Sequence, residues 1–219
     1  DKGRITIPGF YDKVLPVPAE EREMIKNIPF SLENYKKAID VEEVEGEEGY
    51  STLERNSCRP SFDICGIWGG YTGEGSKTVL PSKAYAKVSC RLVANQDHHE
   101  ISQAFVDYIQ SIAPKSVKVK VEFLHGGAPY VSPTDLPAYK AAEKAVETTF
   151  GITPLPFYSG GSIPIISGFE NILGIKSILL GFGLSKDAIH SPNESYGLDQ
   201  FDKGLETIPY FYKYFAEEK

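Results

Sequence analysis

The sequence predicts two successive units: an α+β unit with an antiparallel sheet and covering helices, then an α/β unit. Three patterns support this prediction. Apolar and polar residues alternate along residues 84–93 and again along 117–123, as in strands with one buried face. Between them, apolar residues recur at helical spacing along 95–112. Farther on, helical patterns flank a short apolar run at 177–181, an order typical of an α/β fold.

The first unit is expected to begin with two short surface helices and a strand. Residues 16–28 form an acidic helical pattern with Pro18 near its start. Ser31 is a suitable N-cap for a second helix through residue 39. A strand is expected over 62–68, which gives this unit a β-β-α-β order.

The second unit is predicted to alternate helices with one buried strand. A helix over 135–150 has Pro137 in its first turn and Gly151 as its C-cap. A short helix follows the N-cap Ser162, and a buried strand covers 176–182. The final helix carries an apolar stripe that we expect in the core: Phe201, Leu205, Ile208, Tyr212 and Phe215.

Composition places the chain among ordinary globular proteins, with domains expected at 1–127 and 128–219. The net charge of −7 argues against a nucleic-acid surface, and no apolar run of 18 residues suggests a membrane span. The three cysteines contain no Cys-x-x-Cys pair, so we interpret them as reduced and Cys90 as packed within a strand. A cytoplasmic location is expected, although a targeting segment could precede Asp1.

Three features of the sequence suggest sites that we do not favour. Glycines at 69–75 complete no nucleotide-binding fingerprint, so a phosphate- or nucleotide-binding domain remains only an alternative. The Glu-Gly-Glu-Glu run at 45–48 could supply paired carboxylates, but we expect a solvated acidic loop. His98 and His99 lie in the first turn of a helix at a spacing that fits no metal site.

Several ordered motifs across most of the chain resemble the carnosinase-like metallodipeptidases, relatives of succinyl-diaminopimelate desuccinylase and glutamate carboxypeptidase. The resemblance lies in Gly-Gly-Ser-Ile-Pro at 160–164, followed one helix and one strand later by Ala-Ile-His-Ser-Pro-Asn-Glu at 188–194. It extends upstream to Gly-Glu-Gly-Ser-Lys-Thr-Val-Leu-Pro at 73–81, Cys-Arg-Leu-Val-Ala-Asn at 90–95 and His-Gly-Gly-Ala-Pro at 125–129. The first unit would then be the lid or dimerisation domain, with part of the lid missing at its N-terminal side.

The resemblance implies hydrolysis of peptide or amide bonds with two divalent metal ions, zinc or manganese. His190 matches the C-terminal metal ligand. Arg91 matches the arginine that binds the terminal carboxylate of the substrate, a task suited to a guanidinium. Other substrate-binding positions of the family are matched by Thr78, His125, Gly161 and Ser162. The lid of such enzymes also implies a homodimer.

Two departures from the family pattern change what we expect of this chain. Ser159 stands where the family usually has a glutamate that meets the free amino group of a dipeptide, so an N-acyl amino acid substrate is also considered. The chain has four histidines and no His-x-Asp motif, so one metal ligand and no catalytic residue can be carried over. We therefore expect the C-terminal half of a dinuclear peptidase, inactive alone. A non-catalytic dimerisation or binding module is the alternative.

Overall fold

A computed structural model describes residues 2–159 and 163–218, and these residues divide into two compact units. Unit 1 comprises the described residues of Asp1–Tyr130 and Phe157–Ser167. Unit 2 comprises those of Val131–Pro156 and Gly168–Lys219. The chain therefore passes from unit 1 to unit 2, returns to unit 1, and ends in unit 2.

Unit 1 follows the predicted order from the first helix to α4, with one further helix and without the last predicted strand. Its elements are α1 (Ala19–Lys26), α2 (Leu32–Ala38), α3 (Thr52–Ser57), β1 (Ser61–Gly69), β2 (Ala84–Arg91) and α4 (His98–Ile112). The unpredicted α3 is specified by a capping box, in which the Ser51 hydroxyl accepts the Glu54 N–H and the Glu54 carboxylate accepts the Ser51 N–H. Ser31 caps α2 as expected, since its hydroxyl accepts the N–H of Asn34.

The predicted antiparallel sheet is confirmed as a two-stranded ribbon. β1 pairs with β2 from Ser61 opposite Arg91 to Gly69 opposite Ala84, with a bulge between Ile64 and Gly66. This register places Arg91 at the end of the ribbon that is farthest from the β1–β2 connection.

The core of unit 1 lies between the N-terminal segment, the ribbon and α4. Ile7, Phe10 and Ile101 are buried together, and half-buried apolar side chains that include Phe62 and Phe105 pack against them. The Gln96 side chain fastens this core, because its amide donates to Phe10 O at 2.8 Å and its oxygen accepts from Val93 N at 2.9 Å. These bonds tie the N-terminal segment to the start of α4.

The strand predicted over 117–123 is wrong. No part of 113–130 is in a strand, and Val117 and Phe123 are 53% and 50% exposed. Alternating apolar residues favour a strand only where a neighbouring strand accepts the ladder hydrogen bonds. Within the described residues, β1 and β2 pair with each other and not with this segment.

Unit 2 is built on two helices that pack against each other. Its elements are α5 (Pro137–Phe150), a 3₁₀ helix (Ser185–Asp187) and α7 (Leu198–Glu217), while α6 (Ile165–Leu173) begins in unit 1. Ala141 and Ala145 on α5 are fully buried, and so is Thr207 on α7. The hydroxyls of Thr149 and Thr207 lie 2.7 Å apart within this interface. Gly151 ends α5 in the left-handed conformation, as predicted.

Two predictions for unit 2 are wrong. Residues 176–182 form no strand, and Leu179 is 57% exposed. The apolar stripe of α7 is exposed rather than in the core, because the helix buries a different face, the one that carries Gly204 and Thr207. Among the described residues, no helix has the length and apolar character needed to cross a membrane.

Candidate functional site

The three substrate-binding residues predicted in unit 1 are all exposed. Thr78 lies in the connection between β1 and β2, Arg91 is the last residue of β2, and His125 follows the extended segment after α4. No ion pair or hydrogen bond links the Arg91 guanidinium to another described residue. Its five N–H donors are therefore available to bind a carboxylate.

Two glycines after His125 allow a close approach of the chain that side chains would prevent. A Cβ at Gly126 would lie 2.7 Å from Cδ2 of His98, and a Cβ at Gly127 would lie 2.8 Å from Cβ of Pro164. Pro164 therefore packs directly on the backbone beside His125, within unit 1. Paired glycines in the sequence are typical of such a close approach, but the sequence does not indicate that Pro164 is the contacting residue.

Tyr158 anchors the chain just before residues 160–162 on unit 1. Burial and the neighbouring Glu21 of α1 raise the pKa of the Tyr158 phenol to about 12. Cys58, at the end of α3, is a smaller contributor to the same shift. The predicted positions Gly161 and Ser162 lie outside the described residues.

His190 lies in a tightly turned loop of unit 2. Its imidazole is exposed, and its backbone has a φ of 64°, with Ala188 at 53° and Asn193 at 63° in the same left-handed region. Non-glycine residues are uncommon in this region, although asparagine and histidine adopt it more often than alanine does. Backbone bonds from Ser191 N to Ala188 O at 2.8 Å and from Ser195 N to Asp187 O at 2.9 Å close the loop.

Asp187 is a buried acidic residue within this loop that the sequence analysis missed. It is 2% exposed, and its carboxylate accepts the N–H of Leu184 at 2.7 Å. The sequence feature that could have indicated this role is the position of Asp187, three residues after Leu184 and directly before Ala-Ile-His at 188–190.

The prediction that the acidic run at 45–48 is a solvated loop is wrong for Glu47. Glu47 is 8% exposed and accepts two hydrogen bonds from Arg59, from Nε at 2.7 Å and from Nη2 at 2.9 Å. Burial acts to lower the pKa of Arg59, but the hydrogen bonds and charge of Glu47 outweigh it and raise that pKa. The Arg59 guanidinium also lies over the Tyr50 ring, 4.3 Å from its centroid. Glu47 is thus already paired within the fold.

Cys90 is packed within β2 as predicted, and its cysteine neighbours are also reduced. All three cysteines are free, and burial raises the pKa of the Cys90 thiol to about 11. This thiol therefore stays protonated at neutral pH and is a poor nucleophile or metal ligand.

The described residues fit one part of a metal site. His190 carries an exposed imidazole with no hydrogen bond to another residue in 2–159 or 163–218, so either nitrogen can accept a metal ion. Over the same residues, no cluster of three or more His, Cys, Asp and Glu side chains could hold one.

Comparison with known proteins identifies the first part of the chain as a domain of known type. Residues 19–117 match the family model described as the peptidase dimerisation domain. Over 219 residues, the chain is 31% identical to a Cys-Gly metallodipeptidase from Saccharomyces cerevisiae, covering 99% of this chain and 46% of that protein.

Two solved structures have the same fold as this chain. The crystal structure of human carnosine dipeptidase 1 matches with a TM-score of 0.85 at 30% identity, covering 99% of this chain and 46% of that one. A metallo-carboxypeptidase from Sulfolobus solfataricus also matches with a TM-score of 0.85, covering 97% and 48%. The chain thus spans about half the length of the relatives that it matches, in their C-terminal half.

Proposed function

This chain is homologous to the carnosinase-like metallodipeptidases and carries a peptidase dimerisation domain at residues 19–117, and on that premise we propose that it is the C-terminal portion of a dinuclear metal-dependent dipeptidase. The match of almost the whole chain to solved dipeptidase structures carries this proposal. We place the division between dimerisation domain and catalytic portion at residue 127, where the pattern of the sequence changes.

In this proposal the chain's own residues contribute one metal ligand and bind the substrate. His190 contributes an imidazole ligand from its loop, and its exposure and lack of a hydrogen-bonding partner support this role. The remaining ligands come from residues outside this sequence. Two divalent ions, zinc or manganese, would polarise the scissile carbonyl and activate water.

Arg91 is proposed to bind the carboxylate of the substrate. A guanidinium without an internal partner pairs with a carboxylate through two parallel hydrogen bonds, which fixes both position and orientation. Thr78, His125, Gly161 and Ser162 complete the substrate-binding set. Ser159 makes an N-acyl amino acid the second substrate class, because a serine cannot neutralise a free amino group as a glutamate does.

The complete enzyme is proposed to be a homodimer that forms through the domain at residues 19–117. A cytoplasmic location is part of the proposal, since all three cysteines are free, as in proteins of reducing compartments.

The test is a chimera in which the portion of the Saccharomyces cerevisiae relative that precedes the matched region is joined to Asp1. We expect the chimera to hydrolyse Cys-Gly and to retain two metal ions per chain after dialysis, by elemental analysis. The present chain alone should hydrolyse nothing and retain less than one.

Single substitutions in the chimera test the individual roles. His190→Ala should abolish metal retention at one position, and Arg91→Ala should raise KM for a dipeptide while leaving metal content unchanged. The matched substitution Lys87→Ala, on the same exposed side of β2, should change neither. Two tightly held ions in the present chain, or an active His190→Ala chimera, would overturn the proposal.

The second candidate is a non-catalytic dimerisation module, which the family match at residues 19–117 alone would also support. It predicts a dimer by sedimentation and the same thermal stability with and without zinc. A chimera that dimerises but neither retains metal nor hydrolyses a dipeptide would favour this candidate.

A further inference from the structure

We propose that Asp187 is a positioning residue that fixes the backbone of the His190 loop, so that the imidazole is presented in one direction. The inference rests on the proposed function in that it takes His190 as a metal ligand. Asp187 does not contact the metal in this proposal and acts only through the loop.

Asp187 contacts the loop at both of its ends. Its carboxylate accepts the N–H of Leu184 at 2.7 Å, before the 3₁₀ helix. Its backbone oxygen accepts the N–H of Ser195 at 2.9 Å, five residues beyond His190. One residue thus joins the two sides of the segment that carries the imidazole.

The burial of Asp187 separates this arrangement from an ordinary surface turn. A carboxylate that is 2% exposed gives up hydration and is retained only where hydrogen bonds replace the lost water. The Ile189 side chain packs on the same turn, since its Cδ1 lies 3.2 Å from the Cβ position of Gly183. Asp187 therefore faces the protein, while Ile189 and His190 are both exposed.

The left-handed residues show why such a restraint is required. Ala188 and His190 have φ values of 53° and 64°, which a free chain rarely adopts at these residue types. Without the bonds of Asp187, both residues would relax to ordinary backbone conformations and turn the imidazole away. The competing explanation is that Asp187 only caps the 3₁₀ helix and leaves His190 unaffected.

The experiment measures order along residues 184–195 in the ¹⁵N-labelled, metal-free chain. Asp187→Ala removes the carboxylate but keeps the backbone oxygen that accepts from Ser195. Amide hydrogen exchange should speed at least tenfold at Leu184, which loses its acceptor, and also at Ser195, because the loop loosens. It should also lower the backbone order parameter at His190 from about 0.85 to below about 0.6. Asp187→Asn keeps an acceptor oxygen. Its exchange rates at Leu184 and Ser195 should therefore stay within about threefold of the wild-type rates, and the order parameter at His190 should stay near the wild-type value. Asp202→Ala, on the exposed side of α7, is the matched control and should change neither.

A second variant keeps the inference testable if Asp187→Ala disturbs all of unit 2. Ala188→Gly removes the restraint of a side chain at a left-handed position but leaves the bonds of Asp187 intact, so His190 should stay ordered. Disorder at His190 in Ala188→Gly would show that the Ala188 side chain, and not Asp187, restrains the loop, and it would overturn the proposal. Faster exchange at Leu184 with an unchanged His190 in Asp187→Ala would reduce Asp187 to a cap and also overturn it.

Because this measurement needs no metal, its outcome is independent of the metal-binding role. An active His190→Ala chimera would refute that role while leaving the order measurements as they stand. The positioning role is supported if His190 loses order in Asp187→Ala and keeps its order in Asp187→Asn.

Discussion

At the scale of single residues, pairing inside the fold decides which charged groups are available for chemistry. Glu47 carries the sequence features of a metal-binding carboxylate, yet the structure buries it against Arg59 with two hydrogen bonds. Arg91 has the ordinary sequence features of a surface arginine, yet it has no partner among the described residues. Charge in the sequence therefore does not separate structural from functional groups, whereas hydrogen bonding does.

Glu47→Gln should destabilise unit 1 by about 3 kcal/mol, because it leaves the Arg59 charge buried without a counter-charge. Urea unfolding would measure this change. The matched control is Glu48→Gln, whose ion pair with Lys2 is exposed and should contribute less than about 0.5 kcal/mol. Equal effects of the two substitutions would show that burial does not govern the Glu47 pair.

Gly127→Ala should destabilise unit 1 by about 1–3 kcal/mol, since the new methyl group would lie 2.8 Å from Cβ of Pro164. Thermal unfolding measures the loss. Gly181→Ala provides the comparison, because its Cβ position has no heavy atom within 4 Å, and it should be nearly neutral. A neutral Gly127→Ala would mean that Pro164 does not pack as the structure has it.

At the scale of elements, local signals placed the helices well, and tertiary context decided the strands. The caps at Ser31 and Gly151 act within a few residues, so the sequence contains both the donor and the acceptor. A strand needs a partner that is distant in sequence. The segments 117–123 and 176–182 have strand-like composition, but no partner within the described residues makes either of them a strand.

The interface of α5 and α7 depends on a buried hydroxyl pair rather than on large apolar side chains. Thr207→Val should cost about 1–2 kcal/mol, because it removes the partner of the Thr149 hydroxyl while keeping the shape of the side chain. Thr148→Val alters the exposed contact with Tyr214 and should cost less than about 0.5 kcal/mol. Chemical unfolding of both variants checks the difference, and a neutral Thr207→Val would contradict it.

At the scale of the whole molecule, each unit exposes large apolar side chains that a globular protein usually covers. Ile67 and Leu80 in unit 1 are 76% and 88% exposed, and Ile172 and Leu198 in unit 2 are 81% and 79% exposed. Where such side chains form contiguous patches, they mark interaction sites. They accord with a chain that spans about half of the length of its relatives.

The chain alone should bind the dye ANS strongly, and the chimera with the preceding portion of the yeast relative should bind it several-fold less, because exposed apolar surface becomes covered. Fluorescence at equal protein concentration measures the difference. A variant of the chain with Leu198→Ser tests one exposed position and should lower the signal only slightly. Equal ANS binding by chain and chimera would contradict this account of the surface.

Patterns along the sequence predicted most of the helices, and the resemblance to a known family supplied the candidate residues. These features depend on local motifs and on residue spacing, which involve residues close together in the sequence. Thr78, Arg91, His125 and His190 were all identified from such motifs, and the structure describes each of them as exposed.

Contacts between distant segments establish which residues surround those groups and which side of each helix is buried. The pairing of Glu47 with Arg59, the contact of Gly127 with Pro164 and the outward-facing apolar stripe of α7 all depend on where distant segments meet. Burial and hydrogen bonding are properties of these meetings, so they cannot be derived from periodicity along the chain. For the same reason, Asp187 became recognisable as a support for His190 only once its carboxylate was seen to be buried in the loop.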